Sequence, residues 1–371
     1  MRIAIDASPA AKEPRTGTEL YTLHLILALA RLDAANEHTL LLNQAIPQEF
    51  AHLPPNFAIR RIPQRRLWAQ TKLARELRRD KPDVFFAPAN VIPFLHPPVC
   101  VTTIHDVGFH YFPECYPMLV RWYLELTTHF ALRTATKVIA VSQATNEDLV
   151  RVYGAEPSRI EVIHSGLPVT ETSLATPDRV ASTLEQYDIT PPYLLFLGRL
   201  ETKKNVARLV QAFFKLKEHG FPHQLVLGGT PGVGFDEVAR LINASPYGVD
   251  VVLTGYVGEE KGDLYAGAEA FVFPSLYEGF GFPVLEAAAY GVPVVTSRTS
   301  SLAEVAGNAA VLVDPLDVEN IAAAISRVLE DRHLRSELVD LGHQRLGAFD
   351  WQTTAQATLQ VLQQAGAQGA G

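Results

Sequence analysis

The feature that most constrains this chain is an alternation of short apolar runs with longer amphipathic ones, sustained over nearly the whole length and broken once. Residues 2–7, 39–43, 84–87, 99–104 and 137–141 have the length and composition of strands, and helical periodicity fills 19–32 and 142–153 between them. Ser142 is placed to cap the second of these helices. Such a rhythm predicts parallel strands, because each helix must carry the chain back to the same edge before the next strand begins. The rhythm stops near Gly166-Leu-Pro168. It restarts at residues 193–197 and continues through strands at 224–227, 250–253, 270–273, 293–296 and 310–313. Helices are expected over 205–216 and 318–329, and a last one from Trp351.

A chain of 371 residues also exceeds what one hydrophobic core usually holds. The expected fold class is therefore α/β, with two Rossmann-like doubly wound domains. Residues 1–168 form the first and 191–350 the second, a hinge with a helix occupies 169–190, and the helix of 351–371 completes the first domain. A cleft between the two is the expected ligand site.

Composition narrows the function. A hydrophobic content of 47% supplies packed interiors, and a net charge of -8 argues against a general nucleic-acid binder. No apolar run is long enough to cross a bilayer, and Met1-Arg-Ile-Ala-Ile-Asp6 reads as a first strand, so a cytoplasmic location is expected. Cys100 and Cys115 read as reduced packing residues. No Asp-x-Asp pair occurs, so a carboxylate-bridged metal has no obvious ligands, and neither a metal nor a cofactor is expected.

The most informative segment is Glu278-Gly-Phe-Gly-Phe-Pro-Val-Leu-Glu286. Its first carboxylate falls in a glycine loop and its second one turn inside the following helix. Pro283 suits the first turn of a helix, and Gly291 ends it. Gly279 and Gly281 allow a tight curl and a close approach to a ligand. Carboxylates accept from diol hydroxyls and free helix amides bind phosphate, and a nucleotide sugar carries both groups. An ordinary loop and helix with two solvated acids is the plain alternative. The strand before the segment and the strand after it favour a ligand site, since ligands sit at the carboxyl ends of parallel sheets.

A second phosphate element follows the strand at 193–197: Gly198-Arg199-Leu-Glu-Thr-Lys203-Lys204. Cations here oppose the macrodipole of the next helix, so a purely structural role is less natural than diphosphate binding. Lys204 is preferred to Lys203. In the first half, the strand at 99–104 delivers His105 and Asp106 to its carboxyl end. His105 can bond a sugar hydroxyl or hold a proton, with Asp106 orienting it, and a satisfied structural histidine is the rival. Gly17, in the long loop after the first strand, can present amides to a phosphate or an acceptor, or belong to a plain connection.

Basic residues crowd into residues 60–81 of this acidic chain. On a helical wheel Leu67, Leu73, Ala74 and Leu77 share one face. Arg65, Lys72, Arg75 and Arg79 share the other, with Trp68 among them. A basic face with an exposed tryptophan suits an anionic membrane surface, which would place the protein on the inner face of the membrane. A solvated face with Trp68 tucked inward is the alternative.

Together these motifs resemble the retaining glycosyltransferases of sequence family 4, also called group 1, over almost the whole chain. The most specific part is the Glu-x7-Glu signature from Phe273 to Glu286. The Gly198-Arg199 and Lys204 element, Thr103-Ile-His105-Asp106, Val141-Ser142 and the run from Ser300 to Gly307 also match. The resemblance implies the GT-B fold. It implies that Glu278 contacts donor-sugar hydroxyls and Glu286 the nucleotide ribose. Amides near Phe280, Gly281 and Leu285 would bind sugar and phosphate, Arg199 and Lys204 would neutralise the diphosphate, and His105 would lie beside the donor sugar. The base would lie near Tyr256-Val257. Two departures stand out: Asn205 follows the lysine where glycine is usual, and the first loop reads Arg15-Thr-Gly17-Thr18 where a Gly-Gly pair is usual.

The implied activity is metal-independent hexosyl transfer, with retention, from a nucleoside diphosphate sugar to a hydroxyl of a glycan or lipid-linked acceptor. Loose similarity to bacterial mannosyltransferases points to mannose. A sugar-nucleotide epimerase of the same fold and a non-catalytic sugar-nucleotide binder are the rivals. A dinucleotide oxidoreductase lacks its Gly-x-Gly-x-x-Gly after the first strand.

Overall fold

The computed structural model describes residues 1–64, 66–167 and 175–369. The chain divides into two compact units, Met1–Pro168 with Phe349–Gly371, and Val169–Ala348.

The sheet of the first unit contains β1 (Arg2–Asp6), β2 (Glu37–Leu42), β3 (Phe57–Arg61), β4 (Val84–Ala87), β5 (Cys100–Ile104), β6 (Lys137–Ala140) and β7 (Ile160–Val162). Their order is β3-β2-β1-β4-β5-β6-β7, with every neighbouring pair parallel. The strands β3 and β7 were not expected. Both are edge strands whose residues are half exposed, so neither shows a continuous apolar run. Ser142 caps the Gln143–Tyr153 helix, its Oγ accepting from the Thr145 amide at 3.0 Å. The Trp351–Gly369 helix packs on the Gly17–Leu32 helix, with the Trp351 ring 5.7 Å from that of Tyr21. Gly166 lies so close to Trp351 that a Cβ there would come within 2.6 Å of its ring.

The second unit has β8 (Tyr193–Leu197), β9 (Gln224–Gly228), β10 (Val251–Gly255), β11 (Ala270–Phe273), β12 (Val294–Ser297) and β13 (Ala310–Val313), in the order β10-β9-β8-β11-β12-β13 and again all parallel. Its core gathers Phe196, Phe213, Phe271 and Phe273 between sheet and helices. The stretch expected as a hinge is in part structural: the Pro177–Gln186 helix and Ile189 bring Leu184 and Ile189 into this core. Residues 169–174 of that hinge lie outside the described residues.

The basic segment departs from its expectation. Residues Ala69–Leu73 form a π-turn that leads into a short helix, Ala74–Asp80. Leu73, Ala74 and Leu77 are buried, but Leu67 has φ 53° and is exposed. Trp68 is 8% exposed, and its Nε1–H donates to Asp6 Oδ1 at 3.1 Å. A carboxyl buried at the end of β1 needs donors, and Trp68 and Ser8 supply them. The exposed tryptophan on which membrane contact through 60–81 rested is therefore absent. Arg60 and Arg79 pair with Glu76. Arg65 lies outside the described residues. Cys100 is buried and Cys115 partly so, and the two are not joined in a disulfide.

Candidate functional site

In the second unit the strand order reverses between β8 and β11. Chain leaving β8 turns toward β9 while chain leaving β11 turns toward β12, and open parallel sheets take their ligands at such a switch point. One loop carries Gly198, Arg199 and the 3-10 turn Thr202–Lys204. The other carries residues 274–281. The two motifs read separately from sequence thus meet at one place.

Lys204 Nζ lies 2.6 Å from Glu278 Oε1, and both side chains are largely buried. Ser275 Oγ donates to the same oxygen at 2.7 Å. Both donors fall on Oε1. The lysine also lies 5.4 Å from the centre of the Phe273 ring. An ammonium has three protons, so one bond to Glu278 leaves others for a ligand oxygen.

Asn205 explains how Lys204 reaches this position. It adopts φ 62° and ψ 29°, the left-handed region that glycine enters freely and asparagine tolerates best among other residues. Its Nδ2 donates to the carbonyls of Pro274 and Pro315 at 3.0 and 2.6 Å, tying the lysine turn to the loop after β11. The departure at this position therefore preserves the backbone and adds two anchors.

Glu278 is itself held by its main chain. Its amide donates to Ser300 Oγ at 3.0 Å, and Ser301 Oγ donates to the carbonyls of Glu278 and Phe280 at 2.9 and 2.7 Å. Gly281, at φ 115°, starts the Phe282–Ala289 helix, with Pro283 in its first turn. A Cβ at Gly281 would meet Leu302 at 2.8 Å, so that position needs glycine for space as well as conformation. Gly291, at φ 69°, follows the helix end. The side chains of Phe280 and Leu285 are buried, which leaves their main chain as the part that can meet a ligand.

Glu286 lies one turn into this helix and has partners that the sequence did not reveal. Lys261 Nζ sits 2.6 Å from its Oε1, and Tyr265 O–H donates to its Oε2 at 3.0 Å. Burial, and then the adjacent Glu286 charge, push the Tyr265 hydroxyl well above the usual tyrosine range. Lys261 and Tyr265 stand four residues apart on the Lys261–Gly267 helix and so share a face. No local pattern marks them, because the acid they hold is more than twenty residues away.

Arg199 does not join the Lys204–Glu278 pair. Its side chain is 60% exposed, and its Nε lies 3.7 Å from Glu201 Oε2. Lys203 is buried, with its Nζ 3.9 Å from Glu201 Oε1 and its carbonyl accepting from the Leu276 amide. Val257 packs against the core, 3.2 Å from where a Gly228 Cβ would stand.

In the first unit His105 is partly buried beside Tyr21, with ring centres 4.7 Å apart. Its Nε2 lies 2.8 Å from the Pro88 carbonyl. A carbonyl can only accept, so Nε2 carries the proton, and in the neutral ring Nδ1 keeps the lone pair. Burial holds this imidazole below the usual histidine range. Asp106 does not serve as its orienting partner: Asp106 Oδ1 accepts from the Gly108 amide at 2.7 Å, closing its own turn. Gly17 is the first residue of the Gly17–Leu32 helix. Glu19 reaches back over that helix start to accept the Thr16 amide at 3.2 Å, and Lys12 Nζ lies 3.2 Å from it. A carboxylate thus already occupies the place where an anion would bind.

Comparison with known proteins gives concordant matches. The profile described as glycosyl transferases group 1 matches residues 184–345, and that of glycosyltransferase family 4 matches residues 15–171. The O-antigen chain mannosyltransferase B of Escherichia coli is 32% identical over 80% of this chain and 76% of its own length. An MMP alpha-(1->4)-mannosyltransferase of Mycolicibacterium hassiacum is 31% identical over 67% of this chain and 59% of its own. Among solved structures, sucrose-phosphate synthase of Thermosynechococcus elongatus superposes with a TM-score of 0.74 at 23% identity, covering 98% of both chains. Anabaena HepE in complex with UDP-glucose gives 0.74 at 18% identity, covering 98% of this chain and 100% of its own.

Proposed function

For a chain that belongs to the group 1 glycosyltransferases of family 4, and is thus a glycosyltransferase of GT-B fold, we propose a more specific reaction: mannosyl transfer from a nucleoside diphosphate sugar to a hydroxyl of a glycan or lipid-linked acceptor, with retention of configuration and without a metal. Mannose is favoured because the two relatives described above are mannosyltransferases.

The observation that carries this reading is the Lys204–Glu278 pair with Ser275 on the same carboxylate oxygen. Glu278, fixed through Oε1, presents its remaining lone pairs to donor-sugar hydroxyls. Lys204 bridges that carboxylate and the diphosphate. When the bond from the anomeric carbon to the diphosphate oxygen breaks, negative charge gathers on the leaving group, where a preorganised ammonium stabilises it. The departing phosphate oxygen takes the proton of the incoming hydroxyl on the same face, and the new glycosidic bond forms there. Products are the glycoside and a protonated nucleoside diphosphate. Lys261 and Tyr265 fix Glu286 to accept from ribose hydroxyls. Arg199 swings from its exposed position onto the diphosphate, and the Nδ1 lone pair of His105 accepts from a sugar hydroxyl.

The test is a thermal-shift screen against a panel of nucleotide sugars, followed by acceptor-dependent release of nucleoside diphosphate. GDP-mannose should raise the melting temperature selectively. Absence of any shift across the panel sinks the donor assignment. Conversion of the donor to a free epimer without acceptor would mark an epimerase, and binding without turnover a non-catalytic protein.

A further inference from the structure

The outer face of the Met118–Thr134 helix, in the first unit, is the wrong way round for water. At helical spacing Met118, Leu119, Trp122 and Leu126 lie within one sector, and all four are exposed, Leu119 by 79% and Trp122 by 71%. Thr127, Thr128, Ala131 and Leu132 form its buried side. A surface helix ordinarily turns charge outward on such a sector. The apolar patch continues onto a neighbouring loop: Phe94 and Leu95 are exposed, and the Phe94 ring packs edge-on against Phe130 at 5.0 Å. Contiguous exposed apolar surface of this kind marks an interaction site.

What borders the patch identifies the occupant. Gln70 stands inside the basic segment, and its side chain donates to the Tyr123 hydroxyl and accepts from the Phe94 amide at 2.8 Å. That segment is thereby fastened to the apolar helix and its loop. Arg66 and Arg75 are exposed on it, as is Leu67. A tryptophan-bearing apolar face beside a cluster of cations, on a chain of net charge -8, matches the interface of an anionic bilayer, where rings and aliphatic groups enter the acyl boundary and cations meet headgroups. A second copy docked through the same face would set these cations against their own equivalents.

We propose that the Met118–Leu126 face, with the adjoining 66–75 segment, docks the protein onto the surface of an anionic phospholipid membrane. This surface differs in its apolar element from the exposed Trp68 face expected from sequence. It does not depend on the donor assignment.

The experiment is co-sedimentation with vesicles of phosphatidylcholine alone and of phosphatidylcholine with phosphatidylglycerol, read together with tryptophan fluorescence. Of the three tryptophans, Trp68 and Trp351 are buried, so a blue shift on binding reports Trp122. The wild-type protein should pellet with the anionic vesicles, less so as salt rises, with a blue-shifted emission. Leu119→Glu with Trp122→Glu should lower partitioning roughly tenfold or more without changing the melting temperature, because both side chains are exposed. Arg66→Glu with Arg75→Glu should weaken binding and flatten its salt dependence. Val249→Glu, at an exposed apolar residue of the second unit, should bind as the wild type does. No pelleting of the wild type at low salt overturns the proposal, as does equal pelleting of the Leu119/Trp122 variant. A dimer in light scattering that this variant abolishes, with no vesicle binding, would overturn it in favour of a self-interface.

Discussion

Lys204 Nζ lies 2.6 Å from Glu278 Oε1, joining two residues 74 positions apart that the parallel sheet delivers to adjacent strand ends. Neither side chain is positioned alone. Removing the lysine leaves a largely buried carboxylate with Ser275 as its remaining donor on that oxygen, and removing the carboxylate leaves the ammonium over the Phe273 ring.

Lys204→Ala should therefore lower kcat by about 100-fold or more, the scale seen when a preorganised donor to a developing charge is deleted. Glu278→Gln should also lower kcat, and the double variant should lose less than the product of the two single losses, since each residue holds the other. A steady-state double-mutant cycle checks this. Additive losses would place the residues in separate roles.

The Glu286 cluster should behave differently. Lys261→Met and Tyr265→Phe each leave the carboxylate with one fewer donor and free to rotate, while the groups around the breaking bond stay in place. Donor KM should rise roughly tenfold with kcat changed much less, because ribose contacts hold ground state and transition state alike. A kcat loss matching that of Lys204→Ala would contradict the assignment. EDTA treatment should leave turnover of the wild-type protein unchanged, and recovery only on adding a divalent ion would end the metal-independent reading.

Much of this was legible in the sequence. The two sheets followed from strand length and alternation, because parallel strands buried on both faces must be apolar throughout. Glu278, Glu286 and Lys204 were findable because glycine, proline and charge at strand ends are local signals. The partners were not. Lys261 and Tyr265 lie on a short helix with no motif of its own, and their meeting with Glu286 is decided by packing alone. Trp68 misled for a related reason: its ring follows the buried Asp6 carboxyl, more than sixty residues upstream, and not the helical wheel of its own segment.

Stability should fall on mild acidification, with His105 contributing. Burial lowers its pKa in the fold from an ordinary 6.5. As pH drops below that value the unfolded chain takes up a proton that the folded chain refuses. The contribution is complete above about pH 6.5 and is lost progressively as pH falls toward the folded pKa, at up to about 1.4 kcal/mol per pH unit. His105→Gln keeps a donor for the Pro88 carbonyl and removes the titration. Denaturant unfolding at pH 7.5 and pH 5.5 should show a smaller acid loss in this variant than in the wild type. An identical loss would mean that His105 does not titrate differently in the two states.

Asn205 allows backbone and side-chain contributions to be separated. Asn205→Gly keeps access to φ 62° but loses the bonds to Pro274 and Pro315, at a cost of about 1–3 kcal/mol for the carbonyls left without them. Asn205→Ala loses the same bonds and adds left-handed strain of about 1–2 kcal/mol, so it should be the less stable of the two. Turnover should fall in both, because the Asn205 side chain and the Lys203 carbonyl help tie the turn that carries Lys204 to the loop that carries Glu278. Equal stability of the glycine and alanine variants, measured by urea unfolding, would show that the left-handed conformation at this position carries no energetic weight.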